Sequence, residues 1–114
     1  MPYINSTLTI KISDEEKEKI KSKLGEIITE IPGKSEEWLM IGFKDEHVMF
    51  FRGDKKEKAA FVEIKIFGST DKNHKEAITS RVSTLFEEEL SIPKDSIYII
   101  FDEVKDWGWN GKMF

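Results

Sequence analysis

Residues 30–46, EIPGKSEEWLMIGFKDE, return in shortened form as residues 91–103, SIPKDSIYIIFDE. Each stretch carries Ile-Pro, a lysine and a serine, then a hydrophobic run that closes on Ile-x-Phe and an acidic pair. What precedes each copy matches as well. INSTLTIKI (residues 4–12) and AAFVEIKIFG (residues 59–68) are alternating, strand-like runs that share the triplet Ile-Lys-Ile. After the first run, Ser13-Asp14-Glu15-Glu16 has the form of a capping box, and Ile20, Leu24, Ile27, Ile28 and Ile31 follow at helical spacing until Pro32-Gly33. After the second, Ser69-Thr70-Asp71 offers a helix start, and Ala77, Ile78, Val82, Leu85, Phe86 and Leu90 form the apolar stripe.

The plan is therefore a β-α-β unit used twice in one domain, residues 1–114, with halves of about 1–57 and 58–114. Each helix is long enough to carry the chain back, so the strands flanking it should pair in parallel through right-handed crossovers. The expected fold is α+β in two layers: a four-stranded mixed sheet with two helices on one face. Strands are predicted at residues 4–12, with Ile4, Leu8, Ile10 and Ile12 facing inward, at EWLMIGF (37–43), and briefly at HVMFFRG (47–53). Two helices cover one face of such a sheet. The apolar runs EWLMIGF and SIYIIF make a fully wetted second face unfavourable, which points to oligomerisation.

Composition narrows the chemistry. A hydrophobic fraction of 39%, a charged fraction of 35% and a net charge of −4 describe a well-solvated globule with no general attraction to nucleic acid or anionic membrane. There is no cysteine, which excludes disulfides, thiolate metal sites and cysteine nucleophiles. His47 and His74 stand apart without metal-ligand spacing. With neither a secretory leader nor an apolar run of membrane-spanning length in view, the expected compartment is the cytoplasm. Arg52-Gly53-Asp54 matches an integrin-binding tripeptide but reads as turn chemistry.

Pro2 directly follows the initiator methionine. A proline suits the first position of a strand, since it has no N–H to give to a ladder. It also implies trimming of Met1, which exposes a secondary amine able to act as a base where its surroundings lower its pKa.

Four features, taken in order along the chain, carry a family resemblance: Pro2 behind methionine, Gly33-Lys34 after the first helix, Tyr98 in the late strand, and the terminal GWNGKMF. With MPYI, PGKS, IPKDSIYI and the doubled β-α-β plan, the whole chain resembles macrophage migration inhibitory factor and its relatives in the tautomerase superfamily. The resemblance implies a homotrimer with active sites at subunit boundaries, no cofactor, and a small α-keto acid as substrate. It implies Pro2 as the catalytic base and Lys34 as the partner of the substrate carboxylate. Phe67 would offer its backbone N–H, Tyr98 would reach in from the neighbouring subunit, and Trp107, Trp109 and Phe114 would form an aromatic wall. Ile100 departs from the cytokine's asparagine, and Trp107 replaces a smaller aliphatic residue. The cytokine's cysteine pair is absent, so its thiol chemistry does not carry over.

Tautomerisation of an α-keto acid needs a base active near neutrality, a cation for the carboxylate and support for the developing enolate. Pro2, Lys34 and an aromatic wall meet these needs for a phenylpyruvate-like substrate. Each residue has an ordinary role too: a strand-start proline, a lysine beyond a helix end, an interface tyrosine. Hydratase or dehalogenase chemistry in the superfamily uses extra acids and arginines, and Arg52 and Arg81 do not fall where those are expected. The alternative of another class is a non-catalytic, cytokine-like signalling protein that keeps the trimer, with a protein receptor and leaderless secretion.

Overall fold

The first strand, β1 (Pro2–Leu8), buries Pro2, Ile4, Ser6 and Leu8 on one face and half-covers the residues between them. The computed structural model describes all residues from Met1 to Phe114. β1 stops at Leu8, short of the predicted Ile12, because the next residues bond to other segments. Thr9 exchanges hydrogen bonds with Ala59 and donates its hydroxyl to the Glu57 carbonyl at 2.8 Å. The Ile10 carbonyl accepts from Glu46, and the Ile12 N–H donates to the Asp45 carboxylate at 3.1 Å. Ile12 is still buried and Ile10 still packs on the core, but as loop residues.

Helix α1 (Asp14–Ile27) begins with the predicted capping box. Glu16 N–H donates to the Ser13 hydroxyl at 3.1 Å, and Ser13 N–H donates to the Glu16 carboxylate at 2.9 Å. Its apolar stripe, Ile20, Leu24 and Ile27, runs on through a 3-10 turn at Ile28–Glu30 to Ile31, all of it buried. The second strand, β2 (Met40–Lys44), is shorter than predicted, since Glu36–Trp38 forms a separate 3-10 turn. Two short strands, β3 (Phe50–Phe51) and β4 (Asp54–Lys55), pair around Arg52-Gly53, so the predicted strand at 47–53 is the first arm of a hairpin.

The second unit repeats the first. Strand β5 (Ala60–Phe67) leads to helix α2 (Lys72–Leu90), whose cap residue Asp71 accepts the His74 N–H at 3.0 Å. Strand β6 (Ile97–Val104) follows. The tail then forms a hairpin that the strand patterning did not predict, β7 (Gly108–Trp109) with β8 (Lys112–Met113). Asn110 and Gly111 supply the two positive φ angles of its turn, 53° and 78°, a conformation that this residue pair adopts readily.

The four long strands make one sheet in the order β2-β1-β5-β6. β1 and β2 are parallel, as are β5 and β6, while the two units meet antiparallel at β1 and β5, with Pro2 opposite Ile66. Both helices lie on one face, over a core built from Ile4, Leu8, Val62, Ile64, Ile66 and the helix stripes. The other face is open and more polar than its apolar strands suggested. Asn5 donates to Glu63 at 3.2 Å and Lys65 pairs with Asp102 at 3.3 Å, while Met40 (69% exposed), Tyr98 (58%) and Ile100 (40%) lie bare. No helix is long and apolar enough to cross a membrane.

Candidate active site

The strand directions decide which residues can meet. β1 starts where β5 ends, and the α1–β2 connection passes the same end of the sheet. Pro2, Lys34, Phe67 and the tail that leaves β6 are thereby gathered at one edge of the domain. Pro2 is buried, and Lys34, set just past the helix by Pro32-Gly33, is half-buried. The Lys34 Nζ donates to the Phe67 carbonyl at 2.9 Å, and the Phe67 N–H donates to the Met1 carbonyl at 3.0 Å.

This corner acts on amines. Partial burial, the positive charge of Lys34 and a hydrogen bond with it together lower the Met1 amine from its ordinary 8.0 to about 6. Burial removes the water that would solvate an ammonium, and a second cation nearby raises its cost further.

An aromatic chain rims the corner. Phe67 lies 5.9 Å from Phe114, Phe114 stacks at 6.3 Å on Trp109, and Trp109 meets the edge of Trp38 at 5.1 Å. Trp38 is the residue that sequence reasoning missed. Read as part of a strand, it stands instead on the 3-10 turn just after Lys34 with its ring exposed, and no local pattern in the sequence signals that. Trp107 is placed differently from its neighbours. It is half-buried, its carbonyl accepts the Phe114 N–H at 2.9 Å, and its ring joins none of these aromatic pairs.

Tyr98 is not brought to this end within one chain. It pairs with Phe61 at the far end of β5, roughly 20 Å from Val104 by strand rise. There it packs edge-on against Phe51 at 5.3 Å, beside an apolar cavity of about 120 Å³ lined by Met49, Phe50, Phe51 and Phe61. Ile100 is on the open face. Arg81 pairs with Glu30 at 2.8 Å and Arg52 lies over the Phe51 ring at a hairpin tip, so neither arginine is at the Pro2 corner. No group of three or more His, Cys, Asp or Glu residues is placed to hold a metal ion.

The doubled β-α-β sheet, four strands in the order β2-β1-β5-β6 under two helices, defines a protein of the tautomerase fold class. The family model described as "Macrophage migration inhibitory factor (MIF)" matches residues 1–114, and the chain belongs to that family. A macrophage migration inhibitory factor homologue from Prochlorococcus marinus is 31% identical, with 98% of each chain covered and a TM-score of 0.82. The MIF-like protein from Entamoeba histolytica is 29% identical over 99% of this chain and 98% of its own, at a TM-score of 0.87. MIF2 of Leishmania major superposes at a TM-score of 0.92, with 27% identity over 100% of this chain and 97% of that one. Pt0534, solved after inactivation by 2-oxo-3-pentynoate, has the same fold at 12% identity, a TM-score of 0.84, and coverage of 96% and 93%. Among curated protein sequences the chain has no significant match. It is a MIF-like protein on a tautomerase fold.

Proposed function

We propose that this chain is a keto–enol tautomerase for phenylpyruvate-like aryl α-keto acids, with the Pro2 amine as base once Met1 is removed. The observation that carries the reading is the meeting of a buried Pro2, the Lys34 ammonium and the Phe67 peptide beneath one aromatic rim. Lys34 takes the substrate carboxylate and Phe67, Phe114 and Trp109 accommodate the aryl ring. The neutral Pro2 nitrogen removes a proton from the carbon beside the carbonyl, and the electron pair moves onto the carbonyl oxygen as the enolate forms. The proton held by Pro2 is then passed to the enolate oxygen, which gives the enol and regenerates the neutral amine, and the reverse sequence gives the ketone. With Met1 gone, the Phe67 N–H loses its Met1 acceptor and becomes the donor for a substrate oxygen.

The environment that lowers the Met1 amine to about 6 would act on the Pro2 amine as well, favouring its neutral, basic form near pH 7. The family pattern also supports a homotrimer, in which Tyr98 of one copy completes the site of another. Phenylpyruvate turnover by protein freed of Met1 tests the activity. The acetylenic keto acid 2-oxo-3-pentynoate, the inactivator of Pt0534, tests the base. Covalent addition at Pro2 with loss of turnover is expected, whereas a label elsewhere with turnover intact would contradict the assignment.

A further inference from the structure

Glu103 lies at the end of β6, opposite Ile66 and one residue before the partner of Phe67. Its Oε2 accepts the Thr70 N–H at 3.0 Å and lies 3.3 Å from the Lys75 ammonium. The Thr70 bond first, and then Lys75, hold the Glu103 carboxyl below the usual carboxylate range. α2 does not need this acceptor for its own start, because Asp71 already caps it through the His74 N–H. What Glu103 ties down is the segment between Phe67 and the helix. That segment has one main-chain tether to β6, Gly68 N–H to the Val104 carbonyl at 3.1 Å, and Glu103 supplies the second through a side chain.

Phe67 heads this segment, and its carbonyl is the anchor of Lys34. We propose that Glu103 is a positioning residue for the Pro2 corner: by clamping the Thr70 N–H to the end of β6, it fixes the Phe67 peptide units that orient the Lys34 ammonium. The catalytic consequence rests on the tautomerase reading, while the clamp itself does not. Glu103 is exposed, and an exposed ion pair contributes little to global stability. Its loss should therefore be felt locally, in the register of the Phe67–Asp71 backbone.

The experiment compares Glu103→Ala, Glu103→Gln and Lys75→Met in the full chain freed of Met1. Two readouts are used: phenylpyruvate kinetics and amide hydrogen exchange at Gly68. Loss of a hydrogen bond's worth of support corresponds to about a twofold to tenfold effect on binding. Glu103→Ala should raise KM by about that factor, leave kcat within about twofold, and speed exchange at Gly68 but not in the middle of β5. Glu103→Gln keeps an acceptor for the Thr70 N–H and should restore both readouts, and Lys75→Met should stay near wild type. Unchanged Gly68 exchange in Glu103→Ala would overturn the clamp, as would faster exchange spread evenly over the core. A wild type without turnover would sink the tautomerase reading, and the exchange arm alone would then decide the clamp.

Discussion

Lys34 reaches the Phe67 carbonyl because a helix end, a Pro-Gly turn and a strand end converge there. Its ammonium can hold a carboxylate by a charge-assisted bond, worth about 1.5–3 kcal/mol, or about tenfold to a hundredfold in binding. Lys34→Ala should therefore raise KM for an aryl α-keto acid by about that range and leave the corresponding ester nearly unaffected. Equal losses for acid and ester in steady-state kinetics would assign the lysine to the fold instead. At the same corner, the lowered Met1 amine binds fewer protons in the folded state than in the unfolded chain between pH 6 and 8. A chain that keeps Met1 should therefore gain stability as pH rises through that window, read as a rising urea midpoint. Ser6 shows the opposite kind of residue. Its hydroxyl is fully buried between Ile4 and Leu8 and has no hydrogen-bond partner. Ser6→Ala removes an unpaired polar group and should stabilise the protein by about 1 kcal/mol in urea unfolding. A loss of stability would mean that the hydroxyl is satisfied in solution. Pro2, Lys34 and Phe67 were legible as candidates because their order along the chain matches a family. Trp38 was not, since a tryptophan in a hydrophobic run reads as strand until the 3-10 turn that lifts it out is seen.

At the scale of elements, both helices were legible nearly residue by residue, because caps and a 3.6-residue stripe are local signals. Strand ends were not. β1 ends where Thr9 finds Ala59 and Glu57, residues some fifty positions away that no local pattern announces. The tail hairpin was a missed local signal, since Asn110-Gly111 between Trp109 and Lys112 is a strong turn cue. Two substitutions probe the helix logic. Ser13→Ala removes the hydroxyl that accepts the Glu16 N–H, leaves the Ser13 N–H on the Glu16 carboxylate, and should cost about 1 kcal/mol of stability by urea unfolding. Gly25 lies buried in α1 directly beneath the Glu36 carboxylate, where a Cβ would collide with that side chain. Glu36 is exposed and its carboxylate is the free end of a flexible chain, so it can swing aside. Gly25→Ala should then gain up to about 1 kcal/mol from helix propensity. A net loss would show that the Glu36 contact fixes the turn leading to Trp38.

For the whole molecule, one architecture places the chemistry at one end of the sheet and Tyr98 at the other. On the proposed function, a single chain would offer an incomplete site, and a trimer is what would bring Tyr98 of one copy to the Pro2 corner of another. Light scattering at micromolar concentration should give a mass three times that of the chain, and a stable monomer would remove Tyr98 from the site. The claim on which everything else depends is that the chain's first amine, carried by Pro2, is the base. An amide nitrogen has no basicity, so a chain that keeps Met1 has no base at the Pro2 position; its lowered amine belongs to Met1, one residue away, and its Met1 carbonyl covers the Phe67 N–H. The direct measurement is phenylpyruvate ketonisation by two preparations of this protein, one freed of Met1 and one keeping it, followed side by side from about pH 5 to 8. The trimmed protein should turn over the substrate at a rate that rises with pH as its amine loses a proton, and the protein keeping Met1 should be folded and inactive. Equal turnover by the two would contradict the account.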